Sequence, residues 1–337
     1  METYLYEHLE GKTVRCNICS HRCLIKDGAR GICNVRENQA GLLENLVYGK
    51  VIARHVDPIE KKPLFHLLPG SLSYSIATVG CNFKCRFCQN ADIAQMPSDR
   101  KGLIMGDLTA PEDIVRAAQA ANCQSISYTY TEPTVFFEFA LDTAKLAREK
   151  GIRNVFVTNG YMTPEMLHKL SPYLDAANVD LKAFSDEFYK KLCGARLEPV
   201  KESLKLMKSL GILVEITTLL IPGLNDDKTE LEQSAAFIAN SLGVETPWHI
   251  SRFHPTYRLT DRPSTSVQSL MTARDIGIKA GLRYVYIGNV PGESGEHTFC
   301  YNCGKTLIER WGFSIRKNLI KNGQCSYCGT NIDGVWE

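Results

Sequence analysis

Ser75-Ile76-Ala77-Thr78-Val79-Gly80-Cys81-Asn82-Phe83-Lys84-Cys85-Arg86-Phe87-Cys88-Gln89-Asn90 carries two signals in one stretch. Its first six residues are a short strand-type run that ends in Gly. Three cysteines follow at C-x3-C-x2-C, close enough to share one loop. Three thiolates can bind three irons of a [4Fe–4S] cube and leave the fourth without a protein ligand, whereas ferredoxin clusters take four. Chemistry at a metal needs such an open position, as a catalytic zinc does. A zinc loop with a distant fourth ligand is the alternative that spacing alone allows.

Outward from this stretch, to about Gly288, strand-like and helix-like segments alternate. Segments 125–130, 154–158, 177–181, 213–221 and 248–253 are rich in Val, Ile, Thr and Tyr and read as strands, with 284–288 a further candidate. Segment 111–121 opens on Pro111, which suits a first helical position. Thr163-Pro164-Glu165 repeats that start, with Thr163 as the cap. Segment 198–210 places Val200, Leu204, Met207 and Leu210 at helical spacing and stops at Gly211. Segments 134–150 and 228–242 complete the series. Strands alternating with helices predict an α/β fold with parallel strands and right-handed crossovers. Six or so units favour an open or closed barrel over a doubly wound sheet. In either, ligands bind at the C-terminal strand ends, so functional residues belong just after strands.

Composition narrows the classes further. With 44% hydrophobic and 23% charged residues, the 337-residue chain is neither disordered, collagen-like nor a coiled coil. No apolar run approaches the ~20 residues of a spanning helix, and the first residues lack a signal-peptide pattern. A cytoplasmic protein is expected. The 39 basic and 37 acidic residues leave a net charge of +2, which disfavours nucleic acid as a partner. Cytosolic thiols stay reduced, so clustered cysteines read as metal ligands. Only Cys123 and Cys193 fall outside clusters and read as core residues.

The two ends lack the strand–helix rhythm and read as small modules, 1–70 and 291–337, around a central 71–290. Cys300-Tyr301-Asn302-Cys303-Gly304 and Cys325-Ser326-Tyr327-Cys328-Gly329 are two C-x2-C-G knuckles. They predict a zinc ribbon with four thiolate ligands, Cys300, Cys303, Cys325 and Cys328. Cys16, Cys19 and Cys23, followed by Cys33, can hold zinc or an auxiliary iron–sulfur cluster, and His21 can substitute for one ligand. His55 and His66 are assigned to structure.

With aromatic Phe87 before the last cysteine, the central motif resembles that of the radical S-adenosylmethionine (SAM) superfamily. The resemblance implies a partial (β/α)6 barrel in which Cys81, Cys85 and Cys88 hold a [4Fe–4S] cluster whose open iron chelates SAM. One electron then cleaves SAM, and a 5′-deoxyadenosyl radical abstracts hydrogen from a substrate. Phe87 would pack near the adenine. Tyr128-Thr129-Tyr130-Thr131-Glu132-Pro133 is similar to the G-G-E-P motif at the SAM amino group, with Thr131 and Glu132 as contacts. Val157-Thr158-Asn159-Gly160 resembles the T-N-G of pyruvate formate-lyase activating enzymes, with Val157 replacing their usual Asp; Thr158 and Asn159 are candidates. Asp180-Leu181-Lys182 matches their D-L-K, which puts Asp180 and Lys182 at SAM. Pro222-Gly223 resembles their turn after the fifth strand. Arg252-Phe253-His254-Pro255 resembles a segment that brings His254 to SAM.

The order of these motifs, with Gly288-Asn289-Val290-Pro291-Gly292 and the closing knuckles, resembles the radical SAM enzyme of the AmmeMemoRadiSam system. That likeness implies association with Memo-like and AMMECR-like proteins. An activase-like enzyme would need an electron donor such as flavodoxin or ferredoxin and a substrate that is a protein. The same chemistry on a small metabolite or nucleic acid, and a non-catalytic iron–sulfur or zinc interaction protein, are the competing classes.

Overall fold

The computed structural model of the chain describes residues 1–290 and 294–337. Its central sheet contains β1 (Ala53–Pro58), β2 (Leu72–Ala77), β3 (Ser125–Tyr128), β4 (Arg153–Thr158), β5 (Ala176–Asp180), β6 (Leu213–Leu220), β7 (Trp248–Arg252) and β8 (Val285–Gly288). The strands lie side by side in chain order. From β2 to β8 every neighbouring pair is parallel, while β1 runs antiparallel to β2. Parallel strands need covered faces, and these are covered: β3 is buried throughout, and so is β5 up to Asp180. The two edge strands do not pair with each other among the described residues.

Six helices make the crossovers: α1 (Pro111–Ala120), α2 (Phe137–Glu149), α3 (Pro164–Leu170), α4 (Leu197–Ser209), α5 (Lys228–Phe237) and α6 (Val267–Lys279). Most bury one stripe, while α2 is buried all round from Phe137 to Leu141. In α4 the stripe is Val200, Leu204 and Met207, at the spacing its sequence predicts. Thr163 caps α3 as expected, its hydroxyl accepting from the Met166 N–H at 3.2 Å. Asp227 does the same for α5 at Thr229 and Glu230. The expected helix 134–150 begins instead as a 3-10 turn, Pro133–Phe136, and segment 228–242 ends in a π-turn, Ile238–Leu242.

The N-terminal strands Tyr6–His8, Val14–Cys16 and Leu24–Ile25 form a separate antiparallel sheet, and Arg36–Gln39 pairs with Leu42–Asn45. Their apolar residues Val14, Ile18, Val35 and Leu43 join the same buried cluster as β2 to β8. A buried ion pair fastens this contact: Arg36 Nη1 lies 2.8 Å from Glu138 Oε1 on α2, and Asn45 Nδ2 donates to Glu138 Oε2 at 2.5 Å. Removing one partner of such a pair strands a charge, at a cost on the order of 3–5 kcal/mol. At the other end, Thr298–Phe299, Thr306–Trp311 and Ser314–Asn318 form a three-stranded sheet. Its Leu307 and Ile308 pack with Phe65, Tyr284 and Tyr286.

Three differences from the sequence reading have physical causes. β1 comes from the segment read as N-terminal module; its Arg54, His55 and Val56 are exposed, so it has no apolar face to announce it. α6 escaped notice because exposed Met271 and Ile278 blur its buried stripe of Leu270, Ala273 and Ile276. Pro291 and Gly292 of the Gly288–Gly292 motif lie outside the described residues. Among the described residues, no helix is long and apolar enough to cross a membrane.

Candidate functional site

The C-terminal ends of β2 to β7 open on one cavity of about 540 Å³. β2 runs into the cysteine loop, which is pinned from both sides. Phe83 is fully buried against Tyr161 and Tyr189. The Lys84 and Arg86 N–H groups donate to the carbonyls of Cys193 and Leu192 at 2.7 and 2.9 Å. The loop thereby turns Cys81, Cys85 and Cys88 to the cavity wall, and among the described residues they are the only cysteines on it. Cys81 Sγ accepts from the Phe83 N–H at 3.3 Å and has Asn159 Nδ2 at 3.8 Å. Burial pushes the Cys81 thiol well up and Cys88 to about 11; a hydrogen bond with Cys193, then burial, raises Cys85. A metal bound by these groups must displace their protons.

The remaining wall sets polar and charged groups beside apolar Phe83, Phe87, Val157 and Leu219. Glu132, after β3, is buried. Its Oε1 accepts from the Thr134 N–H, the Thr134 hydroxyl and the Thr158 hydroxyl at 3.1, 2.5 and 2.7 Å. Its Oε2 accepts from the Asn159 N–H at 2.8 Å. Burial raises the Glu132 carboxyl, and the four donors pull against it. The Thr131 hydroxyl donates to the Thr78 carbonyl at 2.8 Å. Asp180 and Lys182, at the end of β5, form an ion pair at 2.9 Å. Burial disfavours the Lys182 charge, but Asp180 and the Cys85 and Cys193 thiols outweigh it and hold the ammonium well above the usual lysine range. Phe87 packs on Phe188, with Lys182 Nζ 5.8 Å from its ring centre.

Thus Cys81, Cys85, Phe87, Cys88, Thr131, Glu132, Thr158, Asn159, Asp180 and Lys182 share one cavity. His254 does not. It is exposed, and its Nδ1 lies 3.0 Å from the Ser264 hydroxyl, off the cavity wall. The neighbouring Phe253 takes the buried position after β7, which turns His254 outward. Pro222 and Gly223 form a turn as expected, with Gly223 at φ +71°. His66 is buried between the Asp333 carbonyl and the Tyr286 hydroxyl, which bears out its structural reading.

The sequence reading missed Lys61 and Lys62, which enter the cavity from the turn after β1. Lys62 Nζ lies 2.6 Å from Asp57 Oδ2 and 4.5 Å from the Tyr130 ring centre; the Tyr130 hydroxyl also donates to Asp57. The run Asp57-Pro58-Ile59-Glu60-Lys61-Lys62 was the available signal. A second cavity, of about 510 Å³, shares Lys61, Pro63, Gln89, Thr217 and Ser251 with the first and extends to Trp311 and Phe313.

The terminal cysteines differ in geometry. Cys300 and Cys328 sulfurs lie 3.7 Å apart, and Cys303 and Cys325 3.8 Å. All four fall within 4.8 Å of one another, the one such group of metal-ligand atoms among the described residues. Cys16, Cys19, Cys23 and Cys33 line a common void instead. His21 borders it too, but its Nε2 is engaged with the Asn82 carbonyl at 2.8 Å.

Comparison with known proteins places the chain among relatives. The model of the radical SAM superfamily matches residues 75–238. An uncharacterised protein of Methanocaldococcus jannaschii is 50% identical over 336 residues, 99% of each chain. The pyruvate formate-lyase-activating enzyme of Clostridium pasteurianum is 27% identical over 179 residues, 50% of this chain and 72% of that enzyme. A radical SAM methyltransferase from Sphaerobacter thermophilus superposes with a TM-score of 0.51 at 17% identity, over 71% of each chain, a likeness of fold alone. The chain belongs to the radical SAM superfamily, with the activating enzymes of pyruvate formate-lyase among its relatives.

Proposed function

We propose that the chain is a radical SAM enzyme of the activase-like branch, acting by hydrogen abstraction on a substrate that is a protein. The observation that carries the reading is the donor set: three thiols on one loop, with no fourth cysteine among the described residues on a cavity that also presents carboxylate, ammonium, hydroxyl and amide groups. That set fits a [4Fe–4S] cluster with one open iron. Bound there, the cluster would supply the electron that cleaves SAM to a 5′-deoxyadenosyl radical.

The chain's own residues bind and orient. Thr131, Glu132, Thr158, Asn159, Asp180 and Lys182 offer the hydrogen-bonding groups for a zwitterionic, hydroxyl-rich nucleoside, and Phe87 offers an apolar face. At about 540 Å³ the cavity is of cofactor size. The second cavity leaves room beside it for the hydrogen donor. The sheet reads as a partial (β/α)6 barrel between metal modules at 1–70 and 291–337. For Cys300, Cys303, Cys325 and Cys328 the proposed ion is zinc; their spacing supports a single ion, because four thiolates about 2.3 Å from one ion sit roughly 3.8 Å apart. A flavodoxin- or ferredoxin-type carrier in the reducing cytoplasm would supply electrons. The subfamily likeness adds Memo-like and AMMECR-like proteins as partners.

The test is 5′-deoxyadenosine release from SAM by the anaerobically reconstituted, reduced chain. Release is expected from the wild type. Cys85→Ala should abolish it and leave the zinc content unchanged. Cleavage retained in that variant would overturn the assignment.

A further inference from the structure

Two sets of four cysteines flank the sheet, and their spacing differs. Around one zinc the sulfurs must approach to roughly 3.8 Å, the edge of a tetrahedron with bonds of about 2.3 Å. The C-terminal set meets this at 3.7 and 3.8 Å. In the N-terminal set, no three of the sulfurs of Cys16, Cys19, Cys23 and Cys33 come within 4.8 Å of one another. They nonetheless surround one void. Such spacing suits a polynuclear centre, in which each thiolate binds a different metal corner.

Backbone hydrogen bonds set the turns that carry these cysteines. The Cys16 N–H donates to the Cys23 carbonyl at 3.0 Å, which fixes the turn that carries three of the cysteines. Cys33 lies within a second turn, closed by the Asn34 N–H to the Gly31 carbonyl at 2.9 Å. A side chain at Gly31 would reach within 3.2 Å of Ile25 and 3.8 Å of Cys23 Sγ, so the void tolerates no bulk there. Ile18, Ile25 and Val135 give it dry walls.

A second observation points to a ligand. Asn82 is 1% exposed and borders the void, and its Nδ2 has no hydrogen-bond partner among the described residues. A buried amide donor left unpaired costs about 1–3 kcal/mol. A sulfur of an iron–sulfur cluster is an acceptor that would satisfy it, and such bonds tune cluster potential. Asn82 also adjoins Cys81, so it separates the two cysteine sites by a single residue.

We propose that Cys16, Cys19, Cys23 and Cys33 hold a second [4Fe–4S] cluster, fully ligated by protein, and that Asn82 donates to it. This decides between the zinc and cluster readings that the N-terminal spacing leaves open.

The test is iron, sulfide and zinc analysis of the full chain, purified and reconstituted without oxygen. The wild type should carry about eight irons and about one zinc, against about four and about two for the zinc alternative. The Cys81→Ala/Cys85→Ala/Cys88→Ala variant should keep about four irons, about four acid-labile sulfides and about one zinc, with the EPR signal of a reduced cluster. Adding Cys19→Ser and Cys23→Ser should remove that iron and leave zinc unchanged. No iron in the triple variant, with zinc at either level, overturns the proposal. An iron-to-zinc ratio of about two in the wild type does so as well, whether or not the variants fold. Iron kept by the triple variant stands even if SAM cleavage fails, so this result is separable from the catalytic reading.

Discussion

Glu132 is a carboxylate in the interior whose four hydrogen bonds all come from uncharged donors. Two of those donors, the Thr134 and Asn159 N–H groups, are backbone and cannot reverse. Glu132→Gln would therefore turn its NH2 toward one of them in either orientation of the amide. Stability should fall by about 1–3 kcal/mol, the cost of a buried unsatisfied donor. SAM affinity should fall by roughly tenfold, the equivalent of about 1.4 kcal/mol. Thermal unfolding and equilibrium dialysis of the reconstituted protein check the two effects, and a variant that matches wild type in both would show the carboxylate to be dispensable. Glu132 was legible in the sequence because it lies four residues beyond its strand, as Asn159 and Lys182 lie one and two beyond theirs. Position just after a parallel strand is a local property, and it brings residues together without any knowledge of packing. His254 has the same credential and fails, because Phe253 fills the inward position. Lys61 and Lys62 were illegible for the opposite reason: their approach depends on β1 pairing with β2, which neither segment announces.

The loop between β2 and α1 is where element geometry governs the site. Gly80 opens it at φ +105°. A Cβ there would lie 2.6 Å from Val35 Cγ1 and 3.7 Å from the Cys33 carbonyl oxygen. The cysteine loop is thus seated on the N-terminal segment with no space for a methyl group. Gly211, at φ +77°, has nothing within 4 Å of its missing Cβ and isolates the backbone contribution. Gly211→Ala should cost about 1 kcal/mol, and Gly80→Ala about 2–4 kcal/mol because the clash adds to the strain. Gly80→Ala should also lower the iron bound after reconstitution, while Gly211→Ala should not. Calorimetry and iron analysis on the pair decide it; equal losses would mean that the Val35 contact yields freely. Gly80 was readable as a strand terminator, yet its neighbour is 45 residues away and no local pattern encodes it.

At the scale of the molecule, buried polar groups join the apolar cluster in docking the C-terminal segment. Arg310 is buried, with its guanidinium 4.1 Å from the Phe65 ring centre. It donates to the Phe65 carbonyl at 3.0 Å, the Thr298 hydroxyl at 2.7 Å and the Glu296 carbonyl at 3.1 Å. Arg283 pairs with Asp333 at 2.9 Å. These partners lie up to 245 residues apart, so the sequence showed a module and not its seat. The Glu296 side chain reports on the seat. Burial raises its carboxyl from 4.5 to about 7, although Arg310 pulls it down. The folded chain then keeps a proton that the unfolded chain releases near 4.5, so the folded state binds more protons between those values. Stability from this group is complete below the lower value and falls as pH rises through the window. It is constant above the upper one. Allowing for partial exposure, the loss is on the order of 1–2 kcal/mol. Glu296→Gln keeps the shape and removes the titration. Urea unfolding at pH 5 and pH 8 should therefore show a smaller decline in the variant than in the wild type. An unchanged decline would place the titrating group elsewhere and the Glu296 carboxyl in open solvent.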